Sequence, residues 1–146
     1  MFTQKCFIRK NTAGLRRKLR KMGYTECMTL GDLSCIVISN NNYCWNGSFD
    51  LVSSDVVNNI GFRKPHIDCG DNEDLFLAIA ALRDDTDKYQ CITNGKIFMT
   101  CEKDDINEFV AIIYDGYHFE NEEERKDALS NRWHKLTVYE LIEHFK

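Results

Sequence analysis

Four aspartates are the residues whose type and spacing best suit metal chemistry in this sequence. They are Asp68, Asp84, Asp85 and Asp87. The last three form a cluster between an apolar run and a strand-like run, and carboxylate oxygens are the ligands that Mg²⁺ prefers. A Mg²⁺ ion held there would position a phosphate for hydrolysis, which predicts a metal-dependent phosphodiester hydrolase as one alternative. The other interpretation is a solvated turn, because Arg83 and Lys88 flank the acids.

No other standard catalytic motif accompanies these acids. The sequence lacks G-x-x-x-x-G-K-[ST], G-x-G-x-x-G and G-x-S-x-G, and its four histidines lack H-E-x-x-H spacing. Glu124-x-Lys126 matches half of a nuclease motif, but it lies in an acidic, helix-forming stretch rather than on a hairpin strand. The sequence therefore assigns no catalytic residue and no cofactor, and it favours a non-catalytic protein.

The opening segment is the most asymmetric part of the chain in charge. Residues 1–25 carry eight basic side chains and no acidic one, whereas the other 121 residues carry 11 basic and 23 acidic side chains. Like charges one helical turn apart, such as Arg17 and Lys21, lower the stability of a helix slightly. Some other interaction is therefore expected to favour them. The candidate binding residues are Arg9, Lys10, Arg16, Arg17, Arg20 and Lys21.

Two interpretations of this basic segment stay open at the level of sequence. In the first, it binds an anionic partner, which would be a nucleotide signal, a nucleic acid or an acidic protein. In the second, it pairs with the protein's own acids at 71–87 or 120–127. A membrane partner is disfavoured, because Leu15, Leu19 and Met22 form too narrow an apolar face and include no aromatic side chain. Self-association of the chain is a further possibility.

Length, cysteine usage and hydropathy indicate a single cytoplasmic domain over residues 1–146. The chain has 146 residues, a net charge of −4 and seven cysteines, none of them in a C-x-x-C pair. The odd count and the apolar surroundings of several cysteines predict buried, reduced thiols and a reducing compartment. No apolar run approaches the ~20 residues that span a bilayer, and the N-terminus lacks the apolar core of a secretion signal.

Helix-capping signals mark three places in the sequence. Asn11 or Thr12 caps a first helix that Gly23 ends, and Asp71 or Asn72 caps a second, strongly apolar helix. Thr137 and Glu140 form a capping box at the start of the last helix. The predicted helices span residues 12–22, 71–82, 121–131 and 138–145.

Strand signals complete an α+β pattern. Asn94-Gly95 between two apolar runs is a strong hairpin signal, and a further run at 109–114 is expected to extend that sheet. The predicted strands span residues 4–9, 34–39, 43–48, 89–93, 96–101 and 109–114. The order β-α-β-β-α-β-β-β-α-α predicts a mixed, mostly antiparallel sheet of five to six strands with three to four helices packed against it. Residues 50–66 give no clear signal.

Three stretches resemble small phage and prophage proteins of gut bacteria. They are Ile67–Asp87, Lys5–Thr12 and His134–Phe145, and residues 27–66 show no such likeness. The resemblance implies an accessory protein of a mobile element that acts in the cytoplasm of the bacterial host cell. Interference with host defence or regulation would suit such a protein. The resemblance comes without an assigned activity, so it transfers no catalytic residue.

Overall fold

The computed structural model describes residues 1–26, 35–39, 42–46, 66–115, 118, 120–129 and 133–146. These residues form two compact units: Met1–Leu82 with Phe145, and Arg83–His144 with Lys146. Both units combine helices with a sheet, so the predicted α+β class is confirmed. A single domain over residues 1–146 stays a prediction.

The first unit contains a mixed five-stranded sheet. Its strands are β1 (Lys5–Ile8), β2 (Thr25–Glu26), β3 (Cys35–Ser39), β4 (Asn42–Asn46) and β5 (His66–Asp68). They are arranged in the order β2-β4-β3-β1-β5. Strand β3 pairs antiparallel with β1 and β4, whereas the β1–β5 and β2–β4 pairs are parallel. Asn40 and Asn41, between β3 and β4, lie outside the described residues, as does most of the 50–66 stretch that has no clear signal.

Helix α1 (Ala13–Met22) begins and ends where its capping residues predict. The Thr12 hydroxyl accepts a hydrogen bond from the Leu15 N–H, which satisfies one of the unpaired donors of the first turn. Gly23 ends the helix with φ +104°, a left-handed conformation that glycine adopts at little cost. The stripe of Leu15, Leu19 and Met22 is buried, as predicted.

Helix α2 (Glu73–Ala80) is the apolar helix of the same unit. Asn72 caps it by accepting from the Leu75 N–H, and the acids at the start of the helix lie where its dipole favours negative charge. Phe76 and Ile79 are fully buried. The Tyr24 hydroxyl donates to the Ala80 carbonyl at 2.6 Å, which ties the segment after α1 to the end of α2.

The second unit contains a three-stranded antiparallel sheet. Its strands are β6 (Cys91–Thr93), β7 (Phe98–Thr100) and β8 (His134–Lys135), in the order β7-β6-β8. The predicted hairpin between β6 and β7 is confirmed. Asn94 Oδ1 accepts from the N–H groups of Lys96 and Ile97, and Gly95 has φ +96°.

The predicted strand at 109–114 is wrong, because residues 109–113 belong to helix α3 (Ile106–Ile113) and Tyr114 caps its end. Its run of β-branched and aromatic residues is typical of a strand, but Asp105 caps a helix by accepting from two N–H groups of the first turn. Phe109 and Val110 face the core, whereas Ile112 is half exposed. The third strand of this sheet is instead β8, which pairs with β6. The described residues therefore form two sheets rather than one.

Two further helices of the second unit lie near their predicted positions. They are α4 (Glu122–Leu129) and α5 (Val138–His144). The predicted capping box is confirmed, since the Thr137 N–H donates to Glu140 Oε1 and the Glu140 N–H donates to Thr137 Oγ1. The core beneath α3 is formed by Ile92, Cys101, Phe109, Val110 and Trp133.

Among the described cysteines, all but Cys44 follow the prediction of reduced thiols. Cys6, Cys35, Cys69, Cys91 and Cys101 are buried thiols that form no disulfide bond. Burial raises the pKa of the Cys6 thiol, and a hydrogen bond with Cys69 raises this pKa further. Cys44, however, forms a disulfide bond. The prediction missed this bond because spacing along the chain does not determine which sulfur atoms meet in the fold. Among the described residues, none of the helices has the length and hydropathy needed to cross a membrane.

Candidate functional site

Helix α1 presents its cations on the face opposite its buried stripe. With about 3.6 residues per turn, Arg17 lies opposite Leu15, Leu19 and Met22, and Arg20 and Lys21 lie on either side of Arg17. The side chains of Arg17, Arg20 and Lys21 are exposed to solvent. These three residues form the basic face of α1. Arg16 and Lys18 lie at its two margins, closer to the body of the unit.

The margin at Lys18 is neutralised by the protein's own acid. Lys18 Nζ lies 2.9 Å from Glu73 Oε1, and Lys10 Nζ lies 3.3 Å from Glu73 Oε2. These contacts hold the pKa of Glu73 below its usual value, chiefly through the hydrogen bond from Lys18, against a smaller opposing effect of burial. Because Glu73 belongs to the acidic 71–87 segment, internal pairing accounts for this part of the basic segment.

Two other candidate residues are also bonded within the unit. Arg9 Nη2 lies 2.8 Å from Asp68 Oδ2, and the other oxygen of Asp68 accepts from the Gly70 N–H at 2.8 Å. Arg16 donates a hydrogen bond to the Asn11 side chain. Arg9 thus contributes little net positive charge to the surface, whereas Arg16 keeps its charge because Asn11 is neutral.

The three cations of the basic face differ in their contacts. Arg20 Nη1 lies 3.5 Å from the Tyr43 hydroxyl and 4.0 Å from Glu26 Oε2, both at the outer limit for such interactions. Arg17 and Lys21 form no ion pair or hydrogen bond with any of the described residues. Arg17 Nη2 lies 3.9 Å from the position that a β-carbon on Gly14 would occupy, so its guanidinium lies along the helix surface.

The helix itself explains part of this charge. Arg20 and Lys21 are in the last turn of α1, where the helix dipole favours cations, and the first turn contains no acid. Arg17 gains no such benefit in mid-helix, and it lies one turn from Lys21, where like charges repel. Arg17 is therefore the cation that the stability of the helix accounts for least.

Three of the four candidate metal ligands, Asp68, Asp85 and Asp87, are engaged in other interactions. Asp85 forms two hydrogen bonds with the Arg83 guanidinium, at 2.8 and 2.7 Å, and this cation holds the pKa of Asp85 well below its usual range. Asp87 accepts from the Ile106 N–H at 2.7 Å and from Lys135 Nζ at 3.0 Å. Asp84 is exposed, and Asp68 pairs with Arg9 as described above.

These aspartates stabilise local structure. Asp87 links the start of α3 to β8. Within the described part of the chain, no group of three His, Cys, Asp or Glu side chains is placed to hold a metal ion. The hydrolase alternative thus gains no support from the geometry.

Sequence reasoning missed Gln90, which organises the acidic turn. Its side chain is buried, and Nε2 donates to the carbonyls of Arg83 and Thr86. Nothing in the local sequence distinguishes this glutamine from an exposed one, because its role depends on the chain folding back over it.

The comparisons with known proteins add no family assignment. Neither the family models, nor the curated proteins, nor the solved structures contain a match to this chain.

Proposed function

We propose that this protein is a non-catalytic binder of an anionic partner, which it contacts through the basic face of α1. The observation that carries this proposal is the pair Arg17 and Lys21. Both side chains are exposed and lack an acidic partner among the described residues, although acids outnumber bases in the chain.

The geometry of this pair suits a compact anionic group. Residues one turn apart on a helix have β-carbons about 5–6 Å apart, so two cations at this spacing can contact the same phosphate or carboxylate. An arginine guanidinium adds planar, two-point recognition of such groups. Charge-assisted hydrogen bonds of this kind are stronger than those between neutral groups.

The neutralised margin limits the size of the contact. Glu73 occupies the Lys18 side of α1 and offsets one of the two positive charges of Lys10 and Lys18. A long polyanion that crossed this margin would meet a carboxylate. The partner in this proposal is therefore a nucleotide signal, a short segment of nucleic acid, or a few acidic side chains of a host protein.

The cellular role that we propose follows the resemblance to phage and prophage proteins. In this role the chain is an accessory protein of a mobile element, acts in the cytoplasm of the bacterial host, and interferes with host defence or regulation. No observation favours the alternative of a Mg²⁺-dependent hydrolase, because Asp68, Asp85 and Asp87 already bond to cations or to backbone N–H groups.

A double variant tests the proposal directly. Arg17→Gln/Lys21→Gln removes the two cations without exposing apolar surface. The matched control is Lys103→Gln/Lys126→Gln, which changes the net charge equally at two exposed sites of the second unit. The probes are fluorescein-labelled single-stranded DNA and RNA, a labelled cyclic dinucleotide, and immobilised heparin as a general polyanion.

The expected result is that the α1 variant loses at least roughly tenfold in affinity for one of these probes, while the control binds like the wild type. Equal binding by wild type and both variants would show that the basic face is only a solvated surface. Absorbance at 260 nm and mass spectrometry of gently purified wild-type protein would identify a co-purified nucleotide, which the α1 variant should lack.

A further inference from the structure

Strand β7 forms one edge of the three-stranded sheet. It pairs with β6 on one side, and no other strand of the described chain pairs with it. Its surroundings are unusually apolar for an exposed edge, since Ile97 is 48% exposed and Phe98 is 42% exposed. An edge of this kind presents backbone donors and acceptors to any strand that can align with it.

The backbone direction of β7 identifies the groups that point outward. The Cys101 N–H donates to the Gln90 carbonyl at 2.8 Å, and the Cys101 carbonyl accepts from the Tyr89 N–H at 2.8 Å. Cys101 therefore directs its backbone groups toward the β6 side. Because these directions alternate along a strand, the N–H and C=O groups of Phe98 and Thr100 point away from β6.

The charges at the two ends of β7 are opposite. Lys96 lies in the turn before the strand and Glu102 lies just after it, and both side chains are exposed. Neither forms an ion pair with a described residue. The strand therefore has a positive end and a negative end, separated by the exposed Phe98 and Thr100.

We propose that β7 pairs antiparallel with β7 of a second copy of this chain, about a twofold axis at Met99. In this register, Phe98 of each copy lies opposite Thr100 of the other. The outward N–H groups of Phe98 and Thr100 in one copy then donate to the outward carbonyls of Thr100 and Phe98 in the other. The same symmetry brings the Lys96 end of each strand to the Glu102 end of the other, so that two interchain ion pairs form.

The charges of Lys96 and Glu102 favour this register and favour a second copy of β7 as the partner strand. Sliding one strand by two residues keeps the backbone pairing but moves the charged ends apart by about 7 Å. A parallel arrangement would bring like charges together. An antiparallel copy of the same strand is therefore complementary to it in both hydrogen bonding and charge. Phe98 is also held in place, since its ring stacks on His144 with a centroid distance of 4.0 Å.

The pairing is tested by charge reversal at the two ends. In a dimer of Lys96→Glu alone, or of Glu102→Lys alone, both interchain contacts bring like charges together. An equal mixture of the two variants forms a heterodimer in which both contacts again join opposite charges. The dimer dissociation constant is measured by sedimentation equilibrium for the wild type, each variant and the mixture. Lys103→Glu is the matched control, because it changes the net charge as Lys96→Glu does at an exposed site next to Glu102.

Each single reversal is expected to weaken the dimer roughly tenfold, and the mixture to recover wild-type association. Recovery also shows that both variants are folded. A second variant, Thr100→Pro, removes an outward N–H that β6 does not use, and it should abolish the dimer while circular dichroism remains native.

Three results would overturn the proposal. They are a monomeric wild type at the highest concentration that stays clear, a dimer that is insensitive to both reversals, and a dimer that Lys103→Glu weakens as much as Lys96→Glu does.

Discussion

Lys18 donates a hydrogen bond to Glu73 across 55 residues of sequence and joins α1 to the first turn of α2. The same carboxylate accepts from Lys10, so one acid pairs with two bases of the opening segment and offsets one of their two charges. This arrangement divides the basic segment into a part that stabilises the unit and a part that faces solvent. Arg17 and Lys21 belong to the second part.

Removing the charge of Glu73 should strengthen binding at α1. In Glu73→Gln, Lys10 and Lys18 lose their acidic partner and add to the positive potential around Arg17. We expect the affinity for the anionic probe that binds the wild type to rise by roughly threefold to tenfold, measured by fluorescence anisotropy at low salt. Asp115→Asn, which removes an exposed acid of the second unit, is the control and should leave the affinity unchanged. A lower affinity of Glu73→Gln would place the binding surface elsewhere.

The lowered pKa of Glu73 also makes stability depend on pH. A carboxyl group whose pKa is lower in the folded state stabilises the fold at pH values above its unfolded pKa of about 4.3. That contribution is lost as the pH falls through the folded pKa. Glu140 behaves in the same way, chiefly because the Thr137 N–H donates to it and secondarily because of His134.

Urea unfolding of the wild type should therefore show falling stability between about pH 5 and pH 3, with a shallower fall in Glu73→Gln. The variant should keep part of the pH dependence, because Glu140 is intact. Identical pH profiles for the two proteins would mean that the ion pairs of Glu73 with Lys10 and Lys18 do not stabilise the fold in solution.

Asp87 is expected to act through structure rather than through a metal. Asp87→Asn retains an oxygen for the Ile106 N–H but loses the charge that binds Lys135, and we expect it to lower the free energy of unfolding by about 1–2 kcal/mol. Addition of Mg²⁺ or Mn²⁺ should shift the melting temperature of neither wild type nor variant. A shift in the wild type that Asp85→Asn removes would instead support the hydrolase alternative.

Gly14 in α1 and Gly23 at the end of this helix should respond to replacement by alanine in opposite ways. Gly14 lies inside the helix with ordinary van der Waals space for a β-carbon, so Gly14→Ala should raise the free energy of unfolding by about 0.5–1 kcal/mol. Gly23 has φ +104°, where a β-carbon is strained, so Gly23→Ala should lower it by about 1–2 kcal/mol. Thermal denaturation of both variants checks the signs, and a gain in Gly23→Ala would contradict the left-handed helix end.

The features that sequence predicted correctly are local ones. The caps at Thr12 and Asn72, the Asn94-Gly95 turn and the capping box at Thr137 each depend on residues only a few positions apart. Their hydrogen bonds form wherever the local backbone takes the required shape. Such signals therefore located most helices and the hairpin.

The features that sequence missed depend on distant residues or on ambiguous patterns. The run at 109–114 has apolar residues that fit a strand as well as a helix, and only the Asp105 cap separates the two. The pairing of Lys18 with Glu73 and the contacts of Gln90 arise when separate segments meet. The candidate site was thus predicted as a segment, but its division into paired and exposed cations was not.

The pairing of Lys10 and Lys18 with Glu73 has a consequence for counterion release. A protein that binds nucleic acid displaces condensed cations in proportion to the phosphates that it neutralises, with a slope of log K against log salt of about −0.9 per phosphate on duplex DNA. The eight bases of residues 1–25 would imply a steep slope if all of them contacted phosphate. Binding through Arg17 and Lys21 alone, as proposed, would give a slope of about −2, so such binding would tolerate ordinary cellular salt far better than the composition of this segment implies.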